Sequence, residues 1–284
     1  LPGVAGVYPS ADLATDDIDP LPCAAPAVVA TVEPIIVPPR HALAVGCVRH
    51  VGDPVAFVVA ESHEAALDAL ELIEVDYEGL PAVVDSRKAL APGAPEIWGE
   101  APGNLSYVFE KGDRTAVDAA FAGAAHVVEL DIVNNRLVPN AMEPRAALGV
   151  YDEAEDHYTC WTTSQNPHVA RLVMSAFYNV APENKLRVIA PDVGGGFGSK
   201  GAAYPIMAVP AHMAKKTGRP VMMRINRTEE YCIGSARPGF QGRIKIGFTA
   251  DGLITAVDLF ILQENGPYSG GGDMMAAADS LSLV

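Results

Sequence analysis

The chain has 284 residues, of which 49% are hydrophobic, and its 35 acidic and 20 basic side chains give a formal net charge of -15. This length fits one large domain or two ordinary ones with a sizeable core. A surface this acidic repels phosphate backbones and anionic membranes, which argues against nucleic acid as a partner. No stretch approaches the roughly 18–20 uncharged apolar residues of a membrane span, and no signal peptide is visible.

The cysteines argue against a metal site built from side chains of this chain. No two of them form a Cys-x-x-Cys pair, so neither a zinc nor an iron–sulfur site is expected here. The histidines show no ligand spacing either. We therefore expect no metal bound directly by protein side chains, and a reduced, cytoplasmic setting in which the cysteines act as small buried hydrophobes. The four are Cys23, Cys47, Cys160 and Cys232.

A strand followed by a helix is predicted in the first third of the chain. The run Pro54–Ala60 is continuously apolar, as in a strand buried on both faces. Ser62 can cap the helix that follows, on which apolar residues recur at helical spacing. Extended segments at Val75–Tyr77 and Pro81–Val84 would complete a βαβ unit with a right-handed crossover.

Alternating Pro, Gly and Ala predict a linker over 89–105, between a first domain over 1–88 and a second over 106–284. In the second domain, Asp113 can cap a helix, and a strand is expected over His126–Val133.

The elements that follow are a hairpin, a strand between two helices, and three more strands. The hairpin pairs Ala147–Tyr151 with His157–Thr163 around the acidic turn DEAED. The helices over His168–Tyr178 and Tyr204–Lys216 flank a strand over Leu186–Ala190. The last three strands are VMMRIN, GRIKIGFT and ITAVDLFILQ, and the mixture predicts an α+β fold.

The segment VGGGFGSKG, residues 193–201, is called the glycine loop below. It is not a Walker A loop, because Lys200 is followed by Gly201 rather than by Ser or Thr. Gly196 to Gly201 does match G-x-G-x-x-G between a strand and a helix. The match to a dinucleotide fingerprint is poor, since the next strand does not end in an acidic residue and Glu229 lies too far along the chain.

Two interpretations of the glycine loop remain from the residues alone. It is either a turn that reverses the chain or a binding surface. In the second case bare backbone N–H groups would approach an anionic or metal-oxo ligand, and Phe197 would supply an apolar wall beside them.

The segment VGGGFGSK resembles the glycine loop of the molybdenum hydroxylases, the family of xanthine dehydrogenase, aldehyde oxidoreductase and carbon monoxide dehydrogenase. The resemblance implies that Gly195, Gly196, Phe197 and Gly198 line the molybdenum end of a pterin cofactor. The segment WTTSQNPH is similar to the family's Thr-Gln segment, whose glutamine donates a hydrogen bond to an oxygen ligand of the metal. Gln165 takes that role by resemblance, although from the residues alone it could simply satisfy backbone groups near a strand end.

Other segments extend the resemblance in order along the chain. NNRLVPNAMEPRAALGVY, GSARPGFQGRIKIGF and ENGPYSGGG are similar to later family segments. LPGVAGVYPSADL, VRHVGDPVAFVVAE and ELIEVDYEGLPAVVD resemble the family's α/β hammerhead domain. The implied architecture is a truncated hammerhead domain over 1–88, a linker over 89–105, and the first portion of a molybdopterin-binding domain over 106–284.

Three further residues, in the loop or in the Met-Glu-Pro segment, have alternative interpretations. Glu143 is expected to form a buried structural ion pair with Arg145 rather than to act as a general base. Lys200 is either part of the site or a solvated lysine at a helix start. Gly201 stands where xanthine-type members have a substrate-binding glutamate, which argues against a purine site.

The resemblance implies a catalytic subunit that hydroxylates an aldehyde or an aromatic heterocycle with oxygen from water. Its cofactor would be molybdopterin with Mo, in the cytosine dinucleotide form. Iron–sulfur [2Fe–2S] clusters and FAD are expected on partner subunits, in a dimer of heterotrimers.

We interpret the chain as an internal piece of that subunit, inactive and cofactor-free alone. The family's base glutamate lies beyond the matched region, so no catalytic residue is expected in this chain. The alternative is a non-catalytic scaffold or interaction domain that keeps the fold without binding the pterin.

Overall fold

A computed structural model describes residues 1–21, 34–201, 205–234, 236 and 239–268. Helices and strands are mixed along the chain, which confirms the predicted α+β class. In chain order the elements are β1 (Val4–Pro9), α1 (Ser10–Thr15), β2 (Ala56–Ala60), α2 (His63–Leu70), α3 (Ser86–Ala89), α4 (Arg114–Ala122), β3 (His126–Asn134), β4 (Ala146–Asp152), β5 (His157–Thr162), α5 (Pro167–Ala176), β6 (Leu186–Ile189), α6 (Pro205–Thr217), β7 (Val221–Arg224), α7 (Arg227–Ile233), β8 (Phe240–Phe248) and β9 (Ile254–Gln263).

The chain forms two compact units, each assembled from separate stretches. The first unit comprises Leu1–Pro22, Pro39–Leu80 and Val138–Ala236, and the second comprises Cys23–Pro38, Pro81–Leu137 and Arg237–Val284. The domain boundaries predicted at 88 and 105 stay predictions. Cys23, Tyr204 and parts of the segments at 234–248 and 264–272 lie outside the described residues.

The N-terminal sheet of the first unit has two strands rather than the predicted βαβ arrangement. Strand β2 pairs antiparallel with β1, and α2 follows with its predicted cap, since Ser62 Oγ accepts a hydrogen bond from Ala65 N at 3.1 Å. Residues 75–84 form no strand. Leu80 and Val84 in this segment are 64% and 97% exposed.

Burial on both faces was also expected for β2, and this prediction was wrong. Only Val59 in that strand is fully buried. The other four residues of the strand are half-buried, so a continuous apolar run does not guarantee burial on both faces.

The core of the first unit lies between a four-stranded sheet, ordered β6-β5-β4-β7, and helix α6. Strands β4 and β5 form the predicted hairpin, and β6 runs parallel to β5. Helix α6 packs closely on β4 at Gly149, where an added Cβ would lie 2.5 Å from the Pro210 carbonyl oxygen. Only glycine at this position allows the helix backbone to approach so near.

The second unit is built on an antiparallel sheet ordered β3-β8-β9. Helix α4 begins as predicted, with Asp113 Oδ1 accepting a hydrogen bond from Ala116 N at 3.0 Å. It packs on the face of the sheet that carries Lys245, whose ammonium lies 4.7 Å from the centroid of the Phe121 ring. Across the described residues, none of the helices is long and apolar enough to cross a membrane.

Candidate cofactor-binding site

Several connections of the first unit meet at one edge of its four-stranded sheet. Strands β5 and β6 are parallel neighbours, so Gln165 after β5 and the glycine loop after β6 leave the sheet on the same side. Strands β4 and β7 are antiparallel to their neighbours, so the segment before β4 and helix α7 after β7 also reach this edge. The carboxyl ends of parallel strands are where open α/β sheets bind ligands.

The Gln165 side chain lies directly against the glycine loop. Its Oε1 accepts a hydrogen bond from Lys200 N at 3.1 Å, and its own backbone N donates to Lys200 O at 3.0 Å. A Cβ built on Gly196 would fall 2.3 Å from Gln165 Cδ, so glycine there makes room for the glutamine. The proximity of Gln165 to the loop, predicted from sequence, is confirmed.

These contacts also orient the Gln165 amide. A backbone N–H must meet an acceptor, so the carboxamide oxygen faces Lys200 and the NH₂ group faces away. Within the described ranges, Nε2 has no protein acceptor. The side chain is exposed and therefore presents two N–H donors to a ligand.

The backbone of the loop has an unusual conformation that leaves its own donors available. Gly195, Phe197 and Gly198 have φ of +99°, +51° and +83°. A left-handed residue next to an ordinary one, as at Gly195 and Gly196, is the type of backbone that forms anion-binding concavities of N–H groups. In the part of the chain that the structure describes, the N–H groups of Gly196, Phe197 and Gly198 meet no protein acceptor.

Phe197 combines a strained backbone with an exposed ring. A left-handed conformation is costly for an aromatic residue and persists only where its surroundings enforce it. The ring folds over Gly195, where an added Cβ would lie 2.9 Å from Phe197 Cε2. The side chain is nevertheless 62% exposed, which leaves an apolar surface beside the free N–H groups.

The predicted ion pair between Glu143 and Arg145 is wrong. The Glu143 carboxylate lies 2.9 Å from Lys200 Nζ, and the Arg145 guanidinium pairs instead with Glu230 on α7. Residues 142 and 143 form a bend. Glu143 and Arg145 therefore do not pair with each other, and each forms an ion pair with a residue that is distant in sequence.

The Arg145 pair joins helix α7 to the end of the glycine loop. Arg145 and Glu230 are only 1% and 2% exposed, and Arg145 Nη2 donates to both the carbonyl and the hydroxyl of Ser199 at 2.6 Å. Sequence reasoning missed this network because it did not predict α7. The Asn226–Glu229 capping box, which does form, was the available signal.

Lys200 is buried rather than solvated, with a side chain only 1% exposed. Its ammonium donates to the Glu143 carboxylate and to the Glu143 carbonyl at 2.8 Å. Both cations next to the loop, Lys200 and Arg145, therefore have carboxylate partners. What the loop offers a ligand is a set of amide donors rather than a free positive charge.

The hydrogen-bond donors of the loop and of Gln165 suit a bulky electronegative ligand that lies close to the backbone. Among the residues that the structure describes, no three or more His, Cys, Asp or Glu side chains form a group that could hold a metal ion. The chain's contribution is instead three backbone N–H groups, one carboxamide NH₂ and a phenyl face. A metal held by a pterin, with its own oxygen and sulfur ligands, matches this set.

Comparison with known proteins identifies the family. The model of the molybdopterin cofactor-binding domain matches residues 97–282, and that of the aldehyde oxidase and xanthine dehydrogenase a/b hammerhead domain matches residues 1–81. The chain belongs to the molybdenum hydroxylase family. Its glycine loop and Gln165 lie inside the matched cofactor-binding domain.

Individual relatives agree with this family. The carbon monoxide dehydrogenase large chain of Afipia carboxidovorans is 35% identical over 282 residues, covering 94% of this chain and 33% of that protein. The nicotine 6-hydroxylase large subunit of Paenarthrobacter nicotinovorans is 34% identical over 268 residues, covering 94% of this chain and 32% of that protein. Reconstituted CO dehydrogenase from Oligotropha carboxidovorans matches with a TM-score of 0.80 and 33% identity, covering 92% of this chain and 32% of that chain.

The chain thus spans about a third of the length of the curated relatives it matches. The family and the fold follow from these matches. The cofactor-binding roles of Gln165, Gly195, Gly196, Phe197 and Gly198 stay predictions.

Proposed function

We propose that this chain forms part of the cofactor site of a molybdenum hydroxylase, in a catalytic subunit that oxidises an aldehyde or an aromatic heterocycle. The observation that carries the proposal is the close contact of the Gln165 side chain with Gly196 in a loop where, among the described residues, the N–H groups of Gly196, Phe197 and Gly198 meet no protein acceptor. A similar subunit that is named for nicotine, an N-heterocycle, supports the heterocycle class.

Each of these groups has a defined task in the proposal. When bound, molybdopterin with Mo supplies the two-electron chemistry by which oxygen from water enters the substrate. The loop N–H groups hold the electronegative end of the cofactor, and Gln165 Nε2 donates from the neighbouring connection. Phe197 provides an apolar face that keeps water away from one side. The residue that abstracts a proton from water is not among them, so this chain supplies binding and orientation.

The proposal includes the dinucleotide form of the pterin and the partners. Cytosine dinucleotide is the expected form. Iron–sulfur and FAD subunits would carry the electrons away, in a dimer of heterotrimers. Similar proteins named as a large chain, and as a subunit of a dehydrogenase complex, support a multi-subunit enzyme.

Molybdenum and pterin analysis of the enzyme that carries this chain tests the proposal. We expect near-stoichiometric Mo by elemental analysis and a fluorescent pterin after oxidation. Gly196→Ala should lower both by about tenfold or more, because its Cβ would displace Gln165. Gly123→Ala is the matched control, since nothing lies closer than 3.8 Å to the added Cβ.

Two results would contradict the proposal in different ways. A folded wild-type enzyme without Mo or pterin would support the scaffold alternative. Full Mo occupancy in Gly196→Ala, equal to that of Gly123→Ala, would show that the glycine loop is not where the cofactor is held.

A further inference from the structure

One residue, Glu143, contacts both ends of the glycine loop. Its carboxylate Oε2 accepts hydrogen bonds from Gly194 N at 2.8 Å and from Lys200 Nζ at 2.9 Å. Its backbone makes two more contacts with the same residues: its N–H donates to Gly194 O at 3.2 Å, and its carbonyl accepts from Lys200 Nζ at 2.8 Å. Gly194 lies near the start of the loop and Lys200 near its end, so Glu143 links the two ends of the loop.

The close approach of Glu143 depends on the first glycine. A Cβ built on Gly194 would lie 2.5 Å from Glu143 Cβ, inside the distance that side chains tolerate. Glycine at 194 therefore leaves room for the glutamate, and the positive φ values of Gly195 and Phe197 follow directly in the chain. The strained Phe197 conformation needs such fixed ends, because a free loop would relax to an ordinary backbone.

The burial of Lys200 makes its ammonium depend on the Glu143 carboxylate for charge compensation. The Lys200 side chain is 1% exposed and that of Glu143 is 35% exposed, so the glutamate links a buried charge to the surface. Removal of the carboxylate would leave an uncompensated buried ammonium, which disrupts the structure around it. Lys200 N is also the group that orients Gln165, so disturbance at Lys200 reaches the carboxamide directly.

We propose that Glu143 is a positioning residue, which sets the loop conformation so that the N–H groups of residues 196–198 and the Gln165 NH₂ group face the cofactor. The inference rests on the proposed function for what binds, but its effect on the loop itself is independent of any ligand. Glu143 does not touch the reacting atoms and acts through Gly194 and Lys200.

Hydrogen–deuterium exchange on the enzyme that carries this chain tests the effect on the loop. Glu143→Ala should speed amide exchange in the peptide that covers 194–200, whether or not cofactor is present. Glu143→Gln keeps an oxygen that can accept from Gly194 N and Lys200 Nζ but loses the negative charge beside the buried ammonium, so it should restore part of the protection. Glu61→Ala is the control, because it removes a carboxylate from an exposed ion pair with Arg219 elsewhere in the first unit.

A second measurement follows the cofactor. Glu143→Ala should release pterin and Mo about 10- to 100-fold faster than the wild type, and should shift the Mo(V) electron paramagnetic resonance spectrum of the partly reduced enzyme. Glu143→Gln should lie between Glu143→Ala and the wild type in both measurements. A purely structural glutamate would lower the unfolding midpoint without changing that spectrum.

The outcomes separate the two proposals. Wild-type exchange rates in Glu143→Ala, or equal changes in Glu61→Ala, would overturn the positioning role. If Glu143→Ala does not fold, the exchange of Glu143→Gln is the test: partial or full protection of the loop upholds the role of the acceptor oxygen, and complete loss of protection overturns it. A wild-type enzyme without Mo, together with faster loop exchange in Glu143→Ala, would refute the proposed function and leave the positioning role intact.

Discussion

At the scale of single residues, the hydrogen bond from Lys200 N determines how the Gln165 carboxamide is oriented. Because its oxygen accepts a hydrogen bond from Lys200 N–H, the NH₂ group is the end of the carboxamide that has no protein partner among the described residues. The sequence-based prediction assigned Gln165 the role of a donor, by resemblance to the family. The structure adds a physical reason, which is independent of that resemblance.

Replacement of Gln165 by Glu tests the donor role with almost no change in shape. The carboxylate can still accept from Lys200 N but cannot donate to a ligand. Loss of a hydrogen bond to a charged acceptor costs about 1.5–3 kcal/mol, so turnover should fall by roughly one to two orders of magnitude. Gln165→Ala should lose turnover to a similar extent. The measurement is turnover per molybdenum, and unchanged turnover at full occupancy would mean that Gln165 only satisfies backbone groups.

Glu143 and Arg145 mark the limit of residue-level prediction. They were expected to pair with each other, but Glu143 pairs with Lys200 and Arg145 pairs with Glu230. The charges of both residues are evident from the Met-Glu-Pro-Arg segment. The choice of partner is not, because it depends on which connections the sheet brings to the same edge.

At the scale of elements, a cluster of charged side chains joins helix α1 to helix α6. Asp16 at the end of α1 accepts a hydrogen bond from His212 Nε2 at 2.8 Å and pairs with Lys216. These bonds lower the pKa of the Asp16 carboxyl, first through Lys216 and then through His212. The ionised form is therefore favoured in the folded chain.

The lowered pKa gives the Asp16 contribution a defined pH window. It is fully present above the unfolded pKa of about 3.9 and is lost as the pH falls through the lower folded value. Asp16→Asn should lower the free energy of unfolding at pH 7 by about 1 kcal/mol or less, and this difference should disappear in acid. Denaturant titrations at several pH values check this, with Asp68→Asn on the exposed face of α2 as control. An equal loss at all pH values would contradict the ionic origin.

Elements with strong local signals were predicted well. The β4–β5 hairpin, strand β3 and the caps of α2 and α4 were all found within one or two residues. The βαβ unit predicted after residue 54 was wrong, because residues 75–84 form no strand although their pattern favoured extended structure. Pairing is a tertiary property, so an extended pattern alone does not establish a sheet.

At the scale of the whole molecule, the core of the first unit controls the chemistry of a cysteine. Cys160 in β5 is completely buried, and burial raises the pKa of its thiol to about 12. Cys47 and Cys232 are partly exposed free thiols. The prediction that cysteines behave as buried hydrophobes therefore holds for Cys160 and only partly for the other two.

This difference makes Cys160 a reporter of unfolding in the first unit. At pH 8 a thiol reagent should label Cys232 in the native chain, whereas Cys160 should react only as fast as the unit opens. Peptide mass spectrometry reads the two sites separately, and labelling in denaturant shows their intrinsic rates. Labelling of native Cys160 as rapidly as Cys232 would contradict the burial of β5.

By itself, the sequence determined the family, the α+β class, most element positions and the glycine loop with Gln165, because these depend on local patterns and motifs. Only the tertiary structure decided that β6 runs parallel to β5, which brings Gln165 and the loop to one edge. It also decided the partners of Glu143, Lys200, Arg145 and Glu230. The physical reason is that hydrogen bonds and buried charges require contact within a few ångströms, and residues far apart in sequence reach such contact only when the sheet has formed.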